Sequence, residues 1–416
     1  MENPLLLLPP LQLGLEKPTR FFVLSGRGSV YPHHFRDTFQ PFFRRYRELL
    51  SSRFPRGVEL VPLTKDAQDV HPDDFFVWWQ PKESERGIVD ATLSRFRRER
   101  TAIVHYENPV SYSFRRWVIR EGYHSRFGKV FCSAAILADG VHTFWIPIWN
   151  YLIHFESERP VQPLLLNKPE KVRLLAINPI RTGIDVSRRR IEIVDGFMEA
   201  FDECDMFAAQ DVLDHPIIKR WRHRLAGEIE FAPDNYRYLK KIEVFQGYRF
   251  VLVVENTFSD WYISEKLAEP LAALCVPIYF GNPSVTRYMP NLFGAGVING
   301  HDFADLDQLL DYVRAISDVE YCKRLARIRE ARDEYFNLTS YRTICDYVLA
   351  KVCGVEEIAT PTIYQHWNDT FALHNCTGTG QQEKEVLLRL IADADDAAFT
   401  SEVPMLLMSL CASRVC

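Results

Sequence analysis

Short apolar runs alternate with amphipathic stretches along the first 160 residues of the chain. Runs rich in β-branched and aromatic residues, which are typical of strands, occur at Phe21–Ser25, Val58–Pro62, Phe75–Gln80, Ala102–Tyr106 and Val130–Ser133. Stretches with helical spacing lie between them, as at Phe35–Ser51 and Arg86–Arg100. This alternation predicts a parallel sheet flanked by helices.

A second alternating series begins after residue 171. Residues 155–171 are rich in Pro, Glu and Lys and lack a clear period, which is typical of an interdomain linker. Strands are predicted at Val172–Ile177, Phe250–Val254, Val276–Phe280 and Gly296–Ile298. Helices are predicted at Ser187–Phe201, Asp305–Ile316, Val319–Tyr335 and Tyr341–Val352, the last of which would cross back to the first domain.

These patterns divide the chain into four parts. We expect a tail at 1–19, an N-terminal α/β domain at 20–160, a C-terminal α/β domain at 161–353 and an extension of unassigned role at 354–416. Two doubly wound halves of this kind place a cleft between the carboxyl ends of their strands, where ligands of open α/β sheets bind.

Composition excludes several classes of protein. Hydrophobic residues make up 47% of the 416 residues and charged residues 25%, as in soluble globular proteins. The net charge of −5 gives no support for a nucleic-acid partner. Nine cysteines without a CxxC pair or zinc spacing suggest reduced thiols. The apolar run Leu5–Leu15 is too short for a membrane span and is broken by two prolines, so neither an anchor nor a signal peptide is expected.

Residues 248–284 carry the clearest chemical signal, because polar residues gather between two apolar strands. The strand Phe250–Val254 is followed by Glu255 and Asn256, and a helix is predicted to begin near Ser264 with Glu265 and Lys266 in its first turn. Ser264 is a suitable N-cap, and a helix N-terminus offers N–H groups and a positive dipole end to a phosphate.

This segment resembles the signature of the α1,3/4-fucosyltransferase family, glycosyltransferase family 10. The resemblance implies a GT-B fold of two Rossmann-like domains, with the nucleotide sugar bound by the second. It implies that Lys266 stabilises the departing diphosphate, that Glu265 contacts sugar or ribose hydroxyls, and that Asn256 and Tyr262 line the donor pocket.

The run Arg188–Arg190 offers a second cation for the diphosphate. Helical geometry places Arg190 in the apolar arc of Val194, Phe197 and Met198, whereas Arg188 lies on the acidic side. An inward arginine requires a partner, and a diphosphate can be bound bidentately. The position also aligns with the donor-binding arginine of the family; the alternative is a solvated run of charges.

The family also implies a general base at the end of a first-domain strand. Here the strand Ala102–Tyr106 is followed by Glu107, Asn108 and Pro109, in which Asn108 replaces the small polar residue of the family motif. We therefore expect Glu107 to accept the proton of the acceptor hydroxyl. The alternative is a glutamate at a strand end that faces solvent.

Two weaker motifs point elsewhere. Asp305 and Asp307 form a DxD, which holds a metal in other transferases. Here the pair begins a predicted helix, where acidic side chains interact favourably with the helix dipole. Gly26 and Gly28 match part of a dinucleotide fingerprint whose third glycine position is occupied by Tyr31.

Together the residues and the resemblance predict an inverting fucosyltransferase. It would transfer L-fucose from GDP-β-L-fucose to a glycan hydroxyl, in α1,3 linkage, without a metal or another cofactor. The alternatives are a transferase of another GDP-hexose, a non-catalytic glycan- or nucleotide-binding protein, and a nicotinamide-dependent oxidoreductase. The resemblance implies a cytoplasmic or peripheral membrane location in a bacterium and a Golgi-type location in a eukaryote.

Overall fold

The computed structural model describes residues 18–25, 39–63, 69–79, 81, 83–105, 121–133, 137–147, 174–177, 185–209, 214, 216–229, 242, 244–255, 262–282, 285–355, 357–358, 364–366, 368–369, 372, 381 and 385. They divide into two compact units. One lies within Met1–Pro147 and Tyr341–Asp393, and the other within Ile148–Ser340.

The first unit is built on a six-stranded sheet in which every pair of neighbouring strands is parallel. Its strands are β1 (Thr19–Ser25), β2 (Val58–Pro62), β3 (Phe75–Trp79), β4 (Thr101–His105), β5 (Lys129–Cys132) and β6 (Thr143–Trp145). Its helices are α1 (Gln40–Arg45), α2 (Arg47–Arg53), α3 (Arg86–Thr92) and, from the far part of the sequence, α11 (Tyr341–Cys353).

The strand order of this sheet is β2-β1-β3-β4-β5-β6, so the direction of winding reverses between β1 and β3. All five residues of β3 and all five of β4 are buried. Strands covered on both faces read as continuous apolar runs, and for this reason the sequence located them to within a residue or two.

Helix α11 belongs to the first unit, as its predicted return to the first domain implied, although the predicted domain boundaries counted it within 161–353. Asp346 on α11 accepts hydrogen bonds from the guanidinium of Arg45 and, at 3.1 Å, from the hydroxyl of Tyr46. Beyond this helix, Asn368 accepts from the main-chain N–H of Trp145 at 2.7 Å and donates to its carbonyl at 3.1 Å. Part of the expected extension 354–416 therefore packs against β6.

The second unit contains a second parallel sheet of six strands. The strands are β7 (Leu174–Ile177), β8 (Cys204–Ala209), β9 (Leu225–Ile229), β10 (Phe250–Val254), β11 (Val276–Phe280) and β12 (Ile298–Asn299). The helices are α4 (Asp185–Ala200), α5 (Pro216–Arg220), α6 (Glu265–Ala272), α7 (Val285–Tyr288), α8 (Pro290–Ala295), α9 (Leu306–Ala315) and α10 (Asp318–Thr339).

This sheet has the strand order β12-β11-β10-β7-β8-β9, which is the Rossmann order. Winding reverses between β7 and β10, and ligands of such sheets bind beyond the carboxyl ends of the strands at that point. Strands β10 and β11 match the sequence prediction residue for residue. No helix in the described part of the chain is both long and apolar enough to cross a membrane.

Three strands were missed by the sequence patterns, namely β6, β8 and β9. Strand β6 has three residues, which is too few for a period to be seen. Strand β8 contains Asp205, and the edge strand β9 contains Gly227 and Glu228. Their pairing is also irregular, with a register shift between Met206 and Phe207. The tertiary partners, and not local propensity, make these segments strands.

The buried His105 at the end of β4 makes the stability of the first unit depend on pH. Burial lowers the pKa of this imidazole to about 3 from an ordinary 6.5, so the folded chain keeps it neutral where the unfolded chain binds a proton. The contribution of the neutral ring to the free energy of unfolding is fully present above pH 6.5 and is lost as the pH falls towards 3.

We expect the free energy of unfolding to fall by up to about 1.4 kcal/mol for each pH unit below 6.5 through this group alone. Urea unfolding at pH 7 and pH 5 measures the slope in the wild type and in His105→Gln. The variant should show the shallower slope, because it lacks the titrating ring. Parallel slopes would contradict the assignment to His105.

Candidate functional site at the end of strand β10

The site is built around Glu255, the residue that follows β10. Its carboxylate is fully buried and accepts hydrogen bonds from the main-chain N–H of Ser264, at 2.8 Å, and from the Ser264 hydroxyl. Glu255 therefore ties the end of β10 to the start of α6 across residues 256–261, which lie outside the described part of the chain. A buried carboxylate requires such charge-assisted bonds to offset its lost hydration.

Ser264 caps helix α6, as the sequence predicted. Its hydroxyl oxygen accepts from the main-chain N–H of Lys266 at 3.3 Å, and its carbonyl accepts from the Tyr335 hydroxyl at 3.3 Å. The helix continues for two residues past Pro270, although a proline inside a helix usually ends or kinks it. The capped first turn thus lies beside the end of β10, held by contacts on both sides.

Lys266 extends its ammonium back over this cap. Its Nζ lies 3.3 Å from the Ser264 hydroxyl and 4.0 Å from a carboxylate oxygen of Glu255, and the side chain is 14% exposed. The cation and the helix N-terminus therefore lie at the same place. An N-terminal N–H array with an adjacent ammonium favours the binding of an anion such as a phosphate.

Arg190 is the second cation of the site, and it is buried as its helical position predicted. Its Nη2 donates to the carbonyl oxygens of Val254, at 3.3 Å, and Glu255, at 2.8 Å, while the neighbouring Arg189 is exposed. Helix α4 follows β7, and Val254 ends β10. The contact therefore links the helix after β7 to the end of β10, and the winding reverses between these two strands. Arg190 therefore lies at the predicted ligand-binding edge of this sheet.

Glycine at position 281 allows the end of β11 to approach the site closely. The main-chain N–H of Glu255 donates to the carbonyl of Phe280 at 2.8 Å. A Cβ on Gly281 would lie 2.6 Å from Cγ of Glu255 and 2.3 Å from the hydroxyl of Tyr279. Any larger residue would displace the carboxylate that anchors Ser264.

The remaining predicted residues are distributed as follows. Tyr262 is buried just before the cap. Glu265 is the first residue of α6, but its side chain lies outside the described residues, as do Glu107 and Asn256. Sequence reasoning gave no role to Glu255, although an acidic residue that directly ends a fully apolar strand is a signal of a buried, paired carboxylate.

Of the two weaker motifs, the structure describes the DxD. Asp305 is the N-cap of α9 and accepts from the N–H of Gln308 at 2.9 Å, in agreement with its interpretation as a helix start. No group of three or more His, Cys, Asp or Glu side chains suited to a metal occurs among the residues that the structure describes. Gly26 and Gly28 lie outside them.

The hydrogen bonds between Ser264 and Glu255 should contribute to the free energy of unfolding. Glu255→Ala leaves two buried donors of Ser264 without their acceptor, so we expect a loss of about 2 to 4 kcal/mol in the free energy of unfolding. Glu255→Gln preserves the shape and can still bond both groups, so it should lose clearly less. Denaturant titration of both variants measures the difference. Equal losses would show that the hydrogen bonds do not carry the effect.

Comparison with known proteins finds a family match over this site. Residues 229–351, which include the whole β10–α6–β11 segment, match the C-terminal domain model of glycosyltransferase family 10 (fucosyltransferase). A crystal structure of an α1,3-fucosyltransferase is similar over 84% of this chain and 95% of its own, with a TM-score of 0.51 and 15% identity. That similarity concerns the fold, and it confirms the predicted GT-B class.

Two curated relatives illustrate the sequence match. The α-(1,3)-fucosyltransferase FucT of Helicobacter pylori is 35% identical over 81 residues, which are 19% of this chain and 16% of that protein. The GDP-fucose protein O-fucosyltransferase 3 of Canis lupus familiaris is 36% identical over 183 residues, 41% of this chain and 37% of that protein. The chain thus spans well under half the length of either relative. Over residues 229–351, which are less than a third of its length, this chain is similar to glycosyltransferase family 10.

Proposed function

We propose that the protein is an inverting fucosyltransferase that transfers L-fucose from GDP-β-L-fucose to an acceptor hydroxyl. The observation that carries the proposal is the pair of cations, Arg190 and Lys266, at the end of β10 beside the capped N-terminus of α6. This cluster lies at the reversal point of a Rossmann sheet. Lys266 and the helix N-terminus also fall within the segment that matches the family.

The cluster suits a leaving diphosphate. An ammonium has three N–H donors, so Lys266 can bond the Ser264 hydroxyl and phosphate oxygens together. The carboxylate of Glu255 is 4.0 Å from Nζ and holds the ammonium over the cap. When the bond to fucose breaks, negative charge grows on the phosphate, and fixed positive groups at that position stabilise the transition state more than the ground state.

The reaction is a single displacement in this proposal. The acceptor oxygen attacks C1 of fucose while the bond from C1 to the phosphate oxygen breaks, which converts the β-linked donor into an α-linked product. Glu107 takes the acceptor proton, and GDP leaves with the bonding electron pair. In the sequence Glu107 follows the last residue of β4 by two positions, and active groups of such folds are located beyond the carboxyl ends of the strands.

We propose that the leaving group departs without a divalent metal. Arg190, Lys266 and the N–H groups of α6 supply the positive field that a metal supplies in other transferases. Asp305 of the DxD caps its own helix through one carboxylate oxygen, which is a structural role. Activity should accordingly persist in EDTA.

The acceptor is the part of the function on which the relatives differ. By their names, one acts in α1,3-fucosylation and another is a protein O-fucosyltransferase. The first supports a glycan hydroxyl and an α1,3 linkage. The match to the second covers 41% of this chain against 19% for the first. We therefore keep a serine or threonine hydroxyl of a protein as a second candidate acceptor, which a panel of oligosaccharide and peptide acceptors would distinguish.

Replacing the ammonium tests the donor site. We expect Lys266→Ala to weaken GDP binding in EDTA by about 10- to 100-fold, because a charged hydrogen bond to the phosphate is lost. Isothermal titration with GDP measures the change. Lys323→Ala, which removes an exposed lysine on α10, should bind GDP like the wild type. Absence of guanine-nucleotide binding by the folded wild type would overturn the proposed function.

Replacing the base tests catalysis separately from binding. Glu107→Gln should lower kcat by about 10²- to 10⁴-fold with the affinity for GDP unchanged, because a positioned base contributes on that scale. Release of GDP from GDP-fucose in the presence of acceptor is the measurement, and the exposed Glu99→Gln is the control. Unchanged turnover in Glu107→Gln would refute its role as the base.

A further inference from the structure

A pocket of about 260 Å³ opens in the second unit beside the cation cluster. Its walls come from the first turns of α4, the end of β11, the turn after β12 and the start of α9. Ile193, Phe280 and Phe303 give it apolar faces, and Arg189, His301 and Asp305 give it polar ones. The groups proposed to bind the diphosphate and to act as the base do not include these side chains.

The pocket is joined to the cation cluster by direct contacts. The carbonyl of Phe280 accepts from the main-chain N–H of Glu255 at 2.8 Å, while the ring of Phe280 lines the pocket. Arg189 precedes the buried Arg190 in the chain. His301 lies with its Nε2 3.0 Å from the carbonyl of Gly281. A ligand whose phosphate lies at the cluster can therefore place its neighbouring ring in the pocket.

Gly300 shapes one wall of the pocket. A Cβ at this position would lie 2.4 Å from the ring of Phe280, so glycine lets that ring approach the main chain closely. A second close approach, where a Cβ on Gly196 would lie 2.3 Å from Cδ2 of Leu306, brings α4 and α9 together below the pocket. The apolar wall is thus set by close packing, and its shape is fixed before a ligand enters.

We propose that this pocket binds the sugar ring of the donor and recognises its 6-deoxy carbon. The proposal rests on the fucosyltransferase function and adds specificity-determining residues to it. Its volume is below that of pockets for drug-sized ligands, which fits one sugar ring. The methyl group of fucose would contact the wall of Ile193, Phe280 and Phe303, where a 6-hydroxyl would lose its hydration without a partner.

The polar side chains of the pocket suit the ring hydroxyls. Asp305 uses Oδ1 to cap α9, and a carboxylate has two oxygens, so Oδ2 can accept from a sugar hydroxyl. Arg189 is exposed and lies 3.4 Å from Glu192, in an ion pair weak enough to be exchanged for a ligand. A lining of both apolar and polar side chains matches a deoxy sugar, which is itself apolar at C6 and polar at its hydroxyls.

A large side chain at Ala304, an exposed lining residue next to Asp305, would fill the pocket and so tests the proposal. We expect Ala304→Trp to weaken binding of GDP-fucose by roughly tenfold or more, because even one methylene in an apolar pocket is worth about that much. Binding of GDP, which lacks the sugar, should stay unchanged. Gln308→Trp, an exposed change on α9 outside the pocket, is the matched control and should leave both affinities as in the wild type.

A second arm examines the apolar wall itself. GDP-L-galactose has the same ring as GDP-fucose with a hydroxyl on C6. The wild type should bind it on the order of 10- to 100-fold more weakly, and Phe303→Ser, which removes part of the apolar wall, should reduce that difference. Thermal unfolding of each variant confirms that it is folded.

The outcomes separate the two proposals. Failure of the wild type to bind either GDP or GDP-fucose overturns the function and the pocket assignment with it. Normal binding of both ligands with no effect of Ala304→Trp on GDP-fucose overturns the pocket assignment alone. A higher KM for the acceptor in Ala304→Trp, with donor binding intact, would assign the pocket to the acceptor and also contradict the inference.

Discussion

The buried carboxylate of Glu255 is the group on which the geometry of the candidate site depends. It lies at the end of an apolar strand, where an isolated charge would cost several kcal/mol. Two bonds from Ser264 and the ammonium of Lys266 offset that cost. The same contacts fix the N-terminus of the helix and the position of the cation. The requirement to satisfy one buried charge thus holds the groups proposed to bind the phosphate in place before any ligand arrives.

The topology explains why these groups meet where they do. The parallel strands end at one edge of the sheet, and the Rossmann order reverses between β7 and β10, so helices on opposite faces diverge there and leave their N-termini beside the strand ends. Arg190 comes from α4 on one side and Lys266 from α6 on the other. A buried guanidinium is tolerated at this point because main-chain carbonyls at the end of β10 accept its N–H groups. The glycines at 281 and 300 serve the same edge by admitting close approaches that a side chain would block.

Local patterns predicted much of this arrangement and missed part of it. Strands β10 and β11 have the predicted bounds, because both are covered on each face and read as apolar runs bounded by polar residues. The inward position of Arg190 followed from helical period alone. Strand β8 and the edge strand β9 were missed because pairing with their neighbours outweighs their weak local preference. The membership of α11 in the first unit depends on Asp346, whose partners lie about 300 residues earlier in the chain.

The sequence by itself determined the α/β class, the βαβ segment, the cap at Ser264 and the cations, since all of these depend on periodicity, capping and residue type within short spans. The tertiary structure alone decided that Glu255 anchors Ser264, that Arg190 bonds the end of β10, and that a pocket opens beside them. Glu255 and Ser264 are 9 positions apart, and Arg190 and Glu255 are 65 positions apart. The pocket is lined by residues of several separate elements. Such contacts depend on the order of strands in the sheet, which no local pattern of hydrophobic and polar residues encodes.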